Sequence, residues 1–177
     1  MDGVYLGALW RLLGWLPGVF LRTMFNSRWL ANHTKIDVRP RNDPITIYGD
    51  QLPRMDIWLL VQNAGHFTIE LDRLTAGLRF GAATLVAVVH DRTTILPGET
   101  LELHVPGLLT GEQASHIAQQ VETRSHASLQ VKAEFNCKIN NFQVDTGHLT
   151  GLPLRLVNFP RSIPASAPSL PVDINHW

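Results

Sequence analysis

Eight histidines, one cysteine and fifteen carboxylates supply the material for catalysis or metal binding in this 177-residue chain. Metal binding needs several ligands on neighbouring elements, usually at short fixed spacings. The histidines are His33, His66, His90, His104, His116, His126, His148 and His176, and no two share an element at such a spacing. His104, His116 and His126 would meet only through the fold. H-E-x-x-H, C-x-x-C, G-x-G-x-x-G and the Walker loop are all missing from the sequence. Ser115 is the nearest nucleophile for a triad with a His and an Asp, but it lacks a strand–turn–helix elbow. Cys137 lies in an alternating segment and reads as a small buried apolar side chain. Being alone, it cannot form an intramolecular disulfide, so nothing points to an oxidising compartment. Asp43-Pro44 and Asp50 read as turn residues. The expectation is a protein that is not an enzyme, with no catalytic residues, no metal ligands and no cofactor.

The informative chemistry lies in the N-terminal segment. Val4 to Phe25 is apolar over about the length of a membrane span, interrupted by Arg11, Pro17 and Arg22. At helical pitch, Gly3, Gly7, Arg11, Gly14, Gly18 and Arg22 follow one another at steps of three or four and form one narrow stripe. Leu, Trp, Phe, Val, Tyr and Met fill the rest of the circumference. Small residues four apart let two helices approach closely in lipid, so the stripe is a candidate face for a partner helix. An arginine in hydrocarbon needs a carboxylate, a carbonyl or a lipid phosphate. The same segment also suits a helix lying flat in the interface, with arginines toward headgroups and tryptophans at headgroup level. Pro17 kinks or ends the helix. Asp2 and the missing cleavage site argue against a secretory signal. Trp10, Trp15, Arg28 and Trp29 read as interfacial anchors.

Charge supports a membrane-facing neck. Residues 1–41 carry six basic and two acidic residues, a net of +4, and the remainder carries −4. A neutral to acidic body behind a basic neck excludes a nucleic-acid binder and suits an anionic membrane surface. The basic residues follow the apolar run, which by the positive-inside rule puts the folded domain on the cytoplasmic side.

From about Ile36 the hydrophobic period changes to two. Alternating or apolar runs at Ile45–Tyr48, Ile57–Val61, Phe67–Leu71, Leu74–Phe80, Thr84–Val89, Thr100–Val105, Leu129–Phe135 and Leu152–Leu156 are separated by turn signals. These include Asn63-Ala64-Gly65, Leu96-Pro97-Gly98-Glu99 and Asp145-Thr146-Gly147. Trp58, Phe67, Phe80, Phe135 and Phe142 fall at strand positions and are expected in the core. One helix is predicted where Thr110 and Gln113 form a capping box before Ala114, Ile117, Ala118 and Val121. The pattern predicts an all-β antiparallel sandwich over residues 31–158 with one short helix. A membrane-anchoring helix over 1–30 precedes it. An extended, Pro-rich tail over 159–177 follows, where Pro160, Pro164, Pro168 and Pro171 remove backbone donors. Leu170, Val172, Ile174 and Trp177 offer the tail apolar contacts with a partner.

Residues 56–158 resemble the late-embryogenesis-abundant type 2 group, or water-stress-and-hypersensitive-response (WHy) domain. The matching stretches are Val61-Gln62-Asn63, Phe67-Thr-Ile69-Glu-Leu71, Leu74-Thr-Ala-Gly-Leu78, Ile95-Leu-Pro-Gly-Glu99 and Leu149-Thr-Gly-Leu-Pro-Leu154. The resemblance implies an immunoglobulin-like or fibronectin-like sandwich with no catalytic residues to carry over. The helix at 110–122, the tail and the glycine stripe depart from that family's pattern. Two functions are therefore expected. One is a non-catalytic accessory or structural subunit of a membrane complex, such as an energy-transducing one, contacting lipids and other subunits. The other is a membrane-tethered stress-protective or lipid-interacting module.

Overall fold

Among the described residues, the alternation that begins after the neck becomes ten strands and one longer helix. The structure is a computed structural model that describes residues 18–40, 43–120 and 127–159. Gly3, Gly7, Trp10, Arg11, Gly14 and Trp15, and the tail residues Leu170, Val172, Ile174 and Trp177, lie outside the described residues. The elements are α1 (Gly18–Met24), α2 (Ser27–Asn32), β1 (Thr34–Val38), β2 (Ile45–Tyr48), β3 (Arg54–Asn63), β4 (Ile69–Phe80) and β5 (Ala83–Val89). There follow β6 (Thr93–Ile95), β7 (Thr100–Leu108), α3 (Gly111–Gln120), β8 (Ala127–Cys137), β9 (Phe142–Thr150) and β10 (Leu154–Val157).

Two sheets are each built around one long strand. In the first, β3 takes β7 along one edge, and β1 and β2 one after the other along its opposite edge. In the second, β4 takes β8 along one edge and β5 and β6 along the other, with β9 beyond β8. Inward residues of both sheets form one core, in which Ile57, Leu59, Leu74, Leu78, Leu129, Val131 and Phe135 are buried. The sheets come close where β5 meets β7. A Cβ on Gly107 would lie 2.7 Å from the Met55 methyl and 3.1 Å from the Ala87 Cβ.

The fold is thus a β-sandwich, but it is not wholly antiparallel. β10 runs parallel to β2, pairing Leu154 with Ile45 and Val157 with Tyr48. Alternation along Leu154–Leu156 marks a strand without saying which neighbour it will take. The link through Gly151, Leu152 and Pro153 carries the chain from β9 in one sheet to β10 in the other.

Two irregularities explain details of the pattern. Apolar positions fall at Ile69 and Leu71 and then at Leu74, Ala76, Leu78 and Phe80, a change of parity. The structure absorbs it in one strand: the pairing steps from Leu71–Phe135 to Arg73–Glu134, leaving Asp72 as the extra residue of a β-bulge. Asp145-Thr146-Gly147 is a second bulge, not the turn the sequence suggests, and β9 continues through it to Thr150. Gly147 has φ +65° there, and the Val131 N–H donates to the Thr146 hydroxyl at 3.0 Å. The Asp145 carboxylate accepts from the Gly147 N–H at 2.9 Å and the Gln130 amide at 3.1 Å, and faces Lys132 at 3.7 Å. These contacts, the Gly147 bond foremost and then the Gln130 bond, hold its carboxyl below the usual carboxylate range against the opposing effect of burial.

Local signals at three other places form as their residue types require. Thr110 and Gln113 cap α3 reciprocally, at 3.2 Å and 2.9 Å, and Ile117 is buried beneath the helix. Leu96-Pro97-Gly98-Glu99 is a tight turn with Gly98 at φ +78° and the Glu99 N–H on the Leu96 carbonyl. Asn63 is 1% exposed at the end of β3. Its amide donates to the Phe67 and Ile95 carbonyls and its oxygen accepts from the Gly65 N–H, so one side chain pins two loops.

Candidate functional site

At one end of the sandwich the neck is fastened to the loops between strands. Asn26 caps α2 by accepting from the Trp29 N–H at 2.9 Å. Leu30 is buried in the core, and the Thr34 hydroxyl donates to its carbonyl at 3.1 Å. Trp29 stacks on His33 with ring centroids 3.8 Å apart, and its edge meets Phe25 at 4.8 Å, which in turn meets Phe67 at 4.9 Å. The Ala64 N–H donates to the His33 carbonyl at 2.8 Å. From the far side, the Asn140 amide donates to the Arg22 and Phe25 carbonyls at 3.3 Å and 3.1 Å. Trp29 is therefore half-buried in an intramolecular aromatic cluster, which leaves Arg28 as the exposed member of that pair.

The outer surface of this end mixes apolar groups with cations. Phe20 and Met24, one helical turn apart on α1, are 54% and 51% exposed, and Leu96 in the nearby turn is 56% exposed. Gly18 faces open space within the chain. Between α1 and the loop after β8 lies a groove of 430 Å³ lined by Gly18, Leu21, Arg22, Lys138 and Ile139. Among the described residues neither Arg22 nor Lys138 has a carboxylate within ion-pair distance. Also among the described residues, no helix is long and apolar enough to cross a membrane.

The opposite end carries the exit to the tail. β10 ends at Val157 beside Tyr48, the Asn158 amide bonds the Asp50 carboxylate, and the Phe159 ring lies against Gly49. Pro53, Ala114, Ala118 and Phe159 line a pocket of 240 Å³ there. Leu52 and Leu108, 77% and 84% exposed, occupy the same end, joined through the Leu109 N–H on the Pro53 carbonyl. The ten residues of β3 separate the two ends by about 30 Å at strand rise.

A third surface lies on the outer face of the first sheet. Trp58 was expected in the core, yet it points outward from the first sheet, because Met55, Ile57, Leu59 and Val61 take the inward parity. The uninterrupted run Ile57–Val61 hides that parity, and Met55 and Asn63 in phase with it were the available signal. Arg39 lies 4.5 Å over the Trp58 ring, and His104 stacks on it with centroids 4.5 Å apart while donating to Asp56 at 2.9 Å. Arg54 lies 4.4 Å over Tyr48, and Arg155 pairs with Asp43 at 3.2 Å. Arg39, Tyr48, Trp58 and Arg155 border a groove of 510 Å³. Phe80, Phe135 and Phe142 are buried as expected, and Phe67 is partly buried.

The candidates His104, Ser115, His116 and Cys137 are spread over β7, α3 and β8. Ser115 donates to Gly111 within α3 at 2.9 Å, and Cys137 is half-buried rather than fully buried at the end of β8. His104 lies on β7 and His116 on α3, and His126 is outside the described residues. Among the described residues no three His, Cys, Asp or Glu side chains gather as metal ligands would.

No family model and no curated protein matches this chain. Solved structures do resemble it. A Northeast Structural Genomics Consortium target, SoR45, aligns at 11% identity and TM-score 0.48, covering 68% of this chain and 87% of its own. A protein of Arabidopsis thaliana aligns at 10% identity and TM-score 0.47, covering 71% and 82%. A protein described as late embryogenesis abundant aligns at 13% identity and TM-score 0.42, covering 78% and 82%. At these values the β-sandwich rests on the strand pairing of this chain itself.

Proposed function

We propose that this protein is a non-catalytic, membrane-associated accessory subunit, seated on the membrane by its neck end and open to partner subunits at the other. The observation that carries the reading is the surface of α1. Phe20 and Met24 are exposed on the helix whose other face carries Arg22 toward Lys138, at the end where the apolar run Val4–Pro17 precedes the domain. Exposed apolar side chains flanked by cations suit the boundary between headgroups and acyl chains. The basic residues Arg28, Lys35, Arg39 and Arg41 behind the apolar run favour a cytoplasmic position for the sandwich. The striped helix meets lipid or a neighbouring helix, and the tail, with Leu52 and Leu108 beside its exit, meets another subunit some 30 Å away.

A second reading is favoured by the turns that Asn63 and Gly98 build, which fall in the stretches shared with the late-embryogenesis-abundant type 2 (WHy) group. On that reading the sandwich is of the immunoglobulin or fibronectin kind and the protein is a tethered stress-protective or lipid-interacting module. Purification from native membranes in mild detergent separates the two. An accessory subunit comigrates in fixed stoichiometry with other membrane proteins. A tethered module runs alone.

A further inference from the structure

We infer that the groove between α1 and the loop after β8 binds the phosphate headgroup of an anionic phospholipid. The inference rests on the membrane reading and names the ligand of its neck end. Arg22 comes from the helix and Lys138 from the loop, so two cations distant in sequence converge on one groove of 430 Å³. Both are exposed, and among the described residues no carboxylate pairs with either. Among the other described arginines Arg39, Arg92 and Arg155 face carboxylates and Arg28, Arg54, Arg73 and Arg79 do not, so what sets Arg22 apart is that it shares a groove with a second cation, Lys138. Two unmatched cations on one groove are complementary to a group with more than one anionic oxygen.

The rest of the lining selects a lipid over a free anion. Leu21 and Ile139 give the groove an apolar side, suited to the glycerol and upper acyl chain below a phosphate. Phe20 and Met24, exposed on the same short helix, occupy another of its faces and add apolar surface at this end without lining the groove. The site is also held in shape before any ligand arrives. The Asn140 amide, one residue beyond Ile139, bonds the carbonyls of Arg22 and Phe25 and so fixes the loop against the helix. Pre-ordering of this kind lowers the entropy lost on binding.

The test is partition of the full chain between buffer and vesicles of phosphatidylcholine alone or with phosphatidylglycerol. The site predicts stronger partition to the anionic vesicles. Arg22→Gln and Lys138→Gln should each reduce that preference by about five-fold. Arg79→Gln, which removes an exposed cation at the other end of the sandwich, should reduce it far less. Inorganic phosphate, lacking the acyl chain, should not compete at concentrations matched for ionic strength. Circular dichroism melts confirm that the variants fold, which their exposed positions favour. Equal partition of the wild type to both vesicles, or an Arg79→Gln loss as large as the others, would overturn the site and leave the membrane reading intact. Partition to neither vesicle would remove both.

Discussion

The Asn140 side chain reaches back 115 residues in sequence to the carbonyl of Phe25, at 3.1 Å, and ties the neck to the far loop of the second sheet. The same amide also reaches Arg22. The neck is therefore part of the folded domain. Leu30 is buried and Trp29 packs against the core, so a truncation that keeps the domain whole must begin before α1.

Replacing Asn140 by Ala removes these two hydrogen bonds. The expected cost is about 1 to 2 kcal/mol in the local opening of α1, from roughly 1 kcal/mol net per bond. Amide exchange along residues 18–25 should quicken while exchange in β4 and β8 stays unchanged. Unaltered exchange in α1 would show that the helix is held by its apolar contacts alone.

Asn63 makes a stronger case, because it is buried and bonds three backbone groups. Asn63→Leu should cost roughly 3 kcal/mol or more, since the Phe67 and Ile95 carbonyls and the Gly65 N–H are left without their partner. Urea unfolding measures this. A loss below 1 kcal/mol would mean that other groups or water replace those bonds.

Trp58 and Phe135 form a pair of opposite expectation. Phe135→Ala opens a cavity in the core and should cost about 3 to 5 kcal/mol. Trp58→Ala loses the contacts with Arg39 and His104 on an outer face and should cost about half as much or less. Equal costs in thermal unfolding would place Trp58 in the core after all.

Asp145 sets a pH dependence. Its carboxyl is held below the usual range in the folded chain, so it contributes stability that is fully present above the unfolded carboxylate pKa. That contribution is lost as pH falls through the folded value. Asp145→Asn should therefore lower stability at neutral pH and flatten the acid limb of the stability curve. An acid limb of unchanged slope would assign it to other carboxylates.

Much of this fold is legible in the sequence because period-two burial leaves a direct trace. Ile69, Leu71, Leu74, Ala76, Leu78 and Phe80 are all buried, and even the bulge at Asp72 is foreshadowed by their change of parity. Thr110 and Gln113 cap α3 as their spacing requires. The sequence is mute where the cause is non-local. The parallel pairing of β10 with β2 depends on a crossing between sheets, and alternation carries no strand direction. Gly147 suggests a turn because a bulge and a turn both need a positive φ. The groove of Arg22 and Lys138 joins residues 116 positions apart, with no motif to announce it. Among the described residues no three His, Cys, Asp or Glu side chains gather, and the spacing of the histidines in the sequence carries no information on where the fold brings them.

On the proposed function the neck end, and not the tail end, faces the membrane. Single cysteines at Phe20, Met24, Leu52 and Leu108, introduced into the full chain with Cys137 replaced by Ser, can each carry a polarity-sensitive fluorophore. On adding anionic vesicles, emission from positions 20 and 24 should shift to the blue as the probes enter the acyl boundary. Probes at positions 52 and 108, about 30 Å away, should not move. No shift at 20 and 24, or a shift at 52 and 108 instead, would contradict the account.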